Sequence, residues 1–222
     1  MEKRSLLDFS VGISTEVHSV FSFNPKRNDL FSTAAELGHP KNNLAIPEQI
    51  HSTHVQWIDV PGKYADTDCL VTQSPDIVLT LKVADCVPVY FLEPQKKIIG
   101  LAHSGWRGTV GGIVTKTIEL MKKNDADIRK ILVYLGPAIG ICCYEVKDEV
   151  AKHFDNRAKK KLYRDKWKVG LNQQIKMQLV ELGIKNSNVH SSKICTFESD
   201  ECHSYRRDGE QSSRMFAFMG VK

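Results

Sequence analysis

Among its 222 residues the sequence has no apolar run long enough to cross a membrane, no Cys-x-x-Cys pair and no His-x-His pair. Nor does it contain an internal repeat or a low-complexity linker. A membrane helix needs ~20 apolar residues. The longest uncharged stretch, Ile131 to Tyr144, is shorter and is broken by Gly136, Pro137 and Gly140. Without Cys-x-x-Cys, neither a zinc ribbon nor a thioredoxin-like site is indicated. Eight histidines with no His-x-His spacing do not make the paired-imidazole pattern of a four-copper oxidase. In the opening MEKRSLLDFS, Asp8 interrupts any apolar signal-peptide core, so a soluble, cytoplasmic protein is expected. In that setting the six cysteines (69, 86, 142, 143, 195 and 202) are expected as reduced thiols, one of them a ligand or a nucleophile.

What is there fits a globular protein: 41% hydrophobic and 26% charged residues can bury a full core. The net charge of +5 is local. From Arg157 to Lys168 there are seven basic residues and one acidic residue, an excess of +6, which leaves the remaining chain near −1. No zinc-finger or RNA-recognition signature accompanies the run. It reads as a solvated helix face or loop, with contact to a phosphorylated ligand or RNA as the other reading. No nucleic-acid partner is expected.

Short apolar runs predict strands at Val55–Val60, Ile77–Val83, Val87–Leu92, Ile98–Ala102, Ile131–Leu135 and Met215–Val221. An apolar stripe at helical spacing predicts a helix from Thr109 to about Lys123, with Gly111 and Gly112 inside it. Two such glycines are unfavourable by about 1 kcal/mol each, which implies that a backbone or a ligand crowds that turn. A second helix is predicted from about Leu171 to Leu182, stopped by Gly183. Strands and helices interleave without a regular βαβ rhythm. The expected fold is therefore α/β (α+β), a mixed-sheet sandwich forming one domain over residues 1–222.

Three segments could carry chemistry: Gln49–Ser52, Ala84–Pro88 and Ala102–Gly108. Each ends or interrupts a strand-like run, where a sheet presents side chains to a cleft. His51, Cys86 and His103 are two imidazoles and a thiol, a set that zinc favours, and three ligands leave a position open for water or substrate. Their wide separation leaves packed or hydrogen-bonded side chains as the alternative. Arg107, on a glycine-rich turn feeding a helix, suits a phosphate or carboxylate, with a structural ion pair as the alternative. Arg206 and Arg207 suit an anion if they flank a cleft, and Asp208-Gly209 reads as turn chemistry. Glu145 reads as a helix-start residue.

The order QIHSTHV, TDCLVT, ADCVPVYF, LAHSGWRG, LGPAIGICCYEV and YRRDG resembles the YfiH-type family, also called the laccase-domain or polyphenol oxidoreductase family. The resemblance runs from about Glu48 to Gly220, and the pairing of ADC with HSGWRG is its most specific part. It implies zinc at His51, Cys86 and His103, and a fold related to toxin-type cysteine hydrolases. It also implies purine nucleoside phosphorylase activity with adenosine deamination. The chain departs from the family pattern at Ser104, at Ser213-Arg214, at Asp66–Cys69, and at Ile13–His18, where an arginine and a glycine pair are usual.

Three functions compete on this reading. The first is a zinc-dependent enzyme of purine nucleosides and phosphate, with inosine, guanosine, adenosine or methylthioadenosine cleaved, or adenosine deaminated. In it Cys86 and His103 are the catalytic residues, and Ser52, Arg107, Arg206 and Arg207 contact substrate or phosphate. The second is a hydrolase of peptide-precursor amides with Cys86 as nucleophile and His103 as its base. The third, a copper polyphenol oxidase, is disfavoured because three dispersed ligands hold one metal rather than four. Zinc is the expected cofactor in place of copper, in a monomer or homodimer.

Overall fold

The computed structural model describes residues 6–8, 17–22 and 29–221, the first two segments as backbone strands. Of the atypical segment noted above, residues 13–16 lie outside the described residues. Two six-stranded mixed sheets stack face to face. In the first, Met215–Val221 pairs antiparallel with both Val17–Ser22 and Val78–Val83, and Leu44–Pro47 runs parallel to Val78–Val83. The second is built on the antiparallel hairpin of Val87–Glu93 and Ile98–Ser104, flanked by Leu132–Leu135 and Cys69–Thr72.

Every residue of Val87–Glu93 and Ile98–Ser104 is buried. Such strands read as continuous apolar runs because both faces are covered. Side chains alternate between the faces. Tyr90, Leu92, Ile99 and Leu101 meet Leu79, Leu81, Ala217 and Met219 between the sheets. Val89, Phe91, Ile98 and Ala102 pack against Ile113, Ile118, Ile175 and Leu179 of the helices Ile113–Lys123 and Leu171–Glu181. On the far side of the first sheet, Leu30 and Ala34 of the helix Leu30–Glu36 cover Val78, Phe216 and Phe218. The layers are thus helix, sheet, sheet, helices. Each buried Leu, Ile or Phe contributes about 2 kcal/mol through area removed from water.

The expected strands form, some with shifted ends: the first is short, Val55–Trp57, and the fourth runs on to Ser104. The helix Leu171–Glu181 ends as expected, with Gly183 at φ 98° and the N–H of Ile184 returning to the Leu179 carbonyl.

Three expectations need correction. The helix predicted from Thr109 to Lys123 is two helices, Trp106–Val110 and Ile113–Lys123, broken where Gly112 takes φ 79°. The crowding inferred there holds at Gly111 but not at Gly112, where the nearest atom to a Cβ would be 3.6 Å away. A Cβ on Gly111 would lie 2.7 Å from the Thr53 methyl group, and one on Gly108 3.3 Å from the Ser52 carbonyl. Glu145 lies in the strand Glu145–Lys147, paired with Lys166 at 2.8 Å, and the helix begins after it. The basic run is mainly neither a helix face nor a loop but the strands Lys159–Lys161 and Lys166–Val169 of a third, small sheet. Several of its charges are held locally: Arg157 by Asp155, Lys161 by Asp148, and Lys159 and Lys161 over the Trp167 ring.

Candidate metal centre and substrate cavity

A cavity of about 860 Å³ opens where Val78–Val83 leaves the first sheet and Val87–Glu93 enters the second. The turn between these strands carries Asp85 and Cys86. His103 arrives from the end of Ile98–Ser104, on the inter-sheet face it shares with Ile99 and Leu101. His51 comes from the loop after Leu44–Pro47. The structure brings these three together: one ligand atom from each lies within 4.8 Å of the others. The two imidazole rings sit edge to face, 4.8 Å between centroids.

Asp68 sets this geometry, and the sequence reading assigned it no part. Fully buried, its carboxylate accepts hydrogen bonds from the N–H groups of Ile50, His51 and Ser52, from the Ser52 hydroxyl at 2.7 Å, and from His103 Nδ1 at 2.8 Å. The last bond turns His103 Nε2 away from Asp68, the arrangement by which a carboxylate orients a metal-binding imidazole. Burial opposes the charge on Asp68, but these donors outweigh it and hold its carboxyl down at about 2. His51 is fixed at φ 60°, a left-handed conformation that a non-glycine residue keeps only where its surroundings impose it.

Asp85, at φ 80°, does the same for the opposite wall. Its carboxylate accepts from the Thr196 hydroxyl at 2.6 Å and the Arg206 N–H at 2.7 Å, and its carbonyl accepts from Ile139 N–H. Both aspartates precede a cysteine, in Thr67-Asp68-Cys69 and Ala84-Asp85-Cys86; the shared dipeptide was the signal available in the sequence.

Burial would push the Cys86 thiol up, but the imidazoles of His103 and His51 outweigh it and lower the thiol. Burial would likewise lower His103, yet the Cys86 sulfur and the Asp68 carboxylate raise it. Both shifts act in one direction, favouring the thiolate of Cys86 and the protonated ring of His103. The donor set, one sulfur and two nitrogens converging at the mouth of a cavity, also fits a single borderline-soft metal ion with a position left open. Gly105 keeps this room clear, since a Cβ there would lie 2.9 Å from Cys86 Sγ and 3.3 Å from the His51 ring.

Beyond the trio the cavity is cationic and aromatic. Lys63, Lys82, Arg107, Arg206 and Arg214 line it, with Trp106, Tyr144 and Tyr205. The Arg107 guanidinium lies over the Trp106 ring at 4.5 Å, and Arg206 over Tyr144 at 4.9 Å. Among the described residues Arg107 makes no hydrogen bond or ion pair, so its donors face the cavity unused. Arg107 is the second residue of a single-turn helix, Trp106–Val110, so the anion seat expected there rests on the guanidinium more than on a helix dipole. Ser52 and Arg207 do not line the cavity. The Ser52 hydroxyl is bonded to Asp68. The Arg207 guanidinium bonds the carbonyls of Thr196, Phe197, Ser199 and Cys202 and the Asp208 carboxylate, tying up its segment.

A family model described as multi-copper polyphenol oxidoreductase laccase matches residues 26–222. The chain is 32% identical over 203 residues to a protein of Geobacillus stearothermophilus named purine nucleoside phosphorylase YlmD, covering 83% of this chain and 74% of that one. It is 33% identical over 206 residues to a protein of an unknown prokaryotic organism named adenosine deaminase RL5, covering 82% and 77%. The crystal structure of the Geobacillus protein superposes with a TM-score of 0.92 at 27% identity, over 100% of this chain and 98% of that one. That of Bacillus licheniformis YfiH superposes with a TM-score of 0.89 at 25% identity, over 100% and 98%.

Proposed function

The chain belongs to the multi-copper polyphenol oxidoreductase laccase family, and we propose that it is a zinc-dependent purine nucleoside enzyme, phosphorolysing nucleosides and deaminating adenosine. The observation that carries this reading is a metal-binding N–N–S trio opening into the same cavity as an unpaired arginine, further cations and aromatic rings. The names carried by relatives at about a third identity agree with it.

In this reading His51, Cys86 and His103 hold Zn²⁺, which supplies Lewis acidity and brings proton loss from water toward neutral pH. Asp68 keeps His103 in the tautomer that offers Nε2. Arg107 and Arg206 grip the phosphate, the first through a planar fork that matches two oxygens at once. The Trp106 and Tyr144 rings back these two guanidiniums and hold them toward the cavity. In phosphorolysis a phosphate oxygen bonds C1′ as the bond from C1′ to the purine nitrogen breaks, and holding both reactants in line provides much of the acceleration. Ser52 and Arg207 act in this scheme by bracing the walls. Copper is not proposed, because the trio holds one ion and no His-x-His pair is present to gather more.

One observation favours a second reading. Cys86, His103 and Asp68 form a nucleophile, base and orienting carboxylate in sequence, the arrangement of a cysteine hydrolase acting on amides. Zinc separates the two, because a thiolate bound to metal is a poor nucleophile.

The test is base release from inosine with and without phosphate, in the natural protein and in Arg107→Lys. Phosphorolysis should need phosphate and fall on the order of a hundredfold, ~3 kcal/mol, in Arg107→Lys, since lysine keeps the charge but loses the fork. Zinc content and melting temperature should be unchanged. Inert nucleosides together with cleavage of a peptide-like amide would replace this reading with the hydrolase.

A further inference from the structure

A second group of ligating side chains stands outside the cavity. Cys142, Cys143, Cys195 and Glu198 each place one ligand atom within 4.8 Å of the others. None of the four lines the substrate cavity. They come from two segments, the turn after Gly140 and the loop after the strand Val189–Ser191, joined by a parallel bridge between Ala138 and Cys195.

Independent features of the backbone serve the sulfurs. The Gly140 N–H donates to Cys195 Sγ at 3.2 Å, the kind of bond that stabilises a thiolate. Gly140 leaves the space the cluster occupies: a Cβ there would sit 2.8 Å from Cys142 Sγ and 3.5 Å from Cys195 Sγ. The Cys143 thiol donates to a Glu198 carboxylate oxygen at 3.3 Å. A tetrahedral zinc site with bonds of about 2.3 Å has ligand atoms roughly 3.8 Å apart, within the spread seen here.

Electrostatics point the same way. Burial would raise the Cys195 thiol, but the N–H donors of Gly140, Glu198 and Phe197 outweigh it and lower the thiol. Burial and the neighbouring thiols and carboxylate push Cys143 up instead. Groups that would all be anionic crowd one spot, and the nearby Lys168 ammonium is bonded to the Cys142 carbonyl. A divalent cation would offset that crowding, with the thiol protons released to solvent on binding.

We propose that Cys142, Cys143, Cys195 and Glu198 form a second metal site, taking one thiophilic divalent ion of the zinc type. Four protein ligands close the shell, so the site is structural. It clamps the loop that ends in Tyr144 to the segment that carries Thr196, the residue bonded to Asp85. The ion therefore braces the wall on which Tyr144 and Arg206 face substrate.

The test titrates Cd²⁺ into reduced, metal-free, full-length Cys86→Ser protein and follows the ultraviolet thiolate-to-cadmium band. Removing Cys86 silences the first site's sulfur, so the outcome is independent of the proposed activity. One tightly bound Cd²⁺ per chain with the intensity of three thiolates is expected. The band should fall by about one third in Cys86→Ser/Cys142→Ser, whose changed side chain is exposed. Cys86→Ser/Glu198→Gln should keep the band and bind on the order of tenfold more weakly. Absence of the band, or an air-stable disulfide among Cys142, Cys143 and Cys195 in protein purified with metal present, overturns the proposal.

Discussion

At the scale of single residues, Asp68 links backbone to chemistry. Its two oxygens hold three consecutive N–H groups of the His51 loop, the Ser52 hydroxyl and the His103 ring. Asp68→Ala leaves these buried donors without an acceptor. It should cost about 3–5 kcal/mol and lower the melting temperature by roughly 10 °C. Asp68→Asn keeps the shape and should cost less, yet it should weaken zinc binding by about 10–100-fold because the amide no longer holds His103 as an anion does. Thermal melts and competition with a chelator check both; an unchanged melting temperature in Asp68→Ala contradicts the role. In the sequence, His51, Cys86 and His103 stood out because their side chains carry the ligand chemistry. Asp68 did not, because a buried aspartate differs from a turn aspartate only through partners 16 to 35 residues away, which the fold supplies.

At the scale of elements, apolar runs located six strands and helical spacing the stripe of Ile113–Lys123, since burial on one or both faces writes itself into residue spacing, but Leu44–Pro47 and Cys69–Thr72 were not foreseen. Helical spacing missed the break at Gly111-Gly112, where the stripe carries on across a change of direction. The break lets Trp106–Val110 lie against the Ser52 carbonyl, next to His51, with Gly111 against the Thr53 methyl. Gly112→Ala should cost about 1 kcal/mol from its positive φ and leave the metal in place. In Gly111→Ala the new Cβ would meet the Thr53 methyl at 2.7 Å and the Arg107 carbonyl at 2.9 Å. That variant should displace the loop and weaken zinc binding on the order of tenfold. Parallel melts and zinc competition on the two variants distinguish a local backbone cost from a push on the site; equal zinc affinity in both contradicts the link. The basic run was misread for a related reason. Lys159–Lys161 is three lysines in a row with no apolar alternation, and Lys166–Val169 is too short for its alternation to stand out.

At the scale of the whole molecule, the site exists because a strand crosses from one sheet to the other. The Val78–Val83 to Val87–Glu93 crossover turns Asp85 and Cys86 into the gap, and hydrogen-bonded loops from distant parts of the chain close round it. The mixed sandwich was legible because its strands are apolar. Their order was not, since pairing Met215–Val221 with Val78–Val83 depends on contacts far apart in sequence. The same holds for Lys63, Lys82 and Arg214, which only the fold brings to the cavity lining. The central claim joins that cavity to a metal, and phosphate-dependent release of hypoxanthine from inosine, by protein stripped of metal and again after zinc is restored, tests it most directly. The account predicts loss of the reaction on stripping and its return with zinc, and undiminished phosphorolysis by the metal-free protein would contradict it.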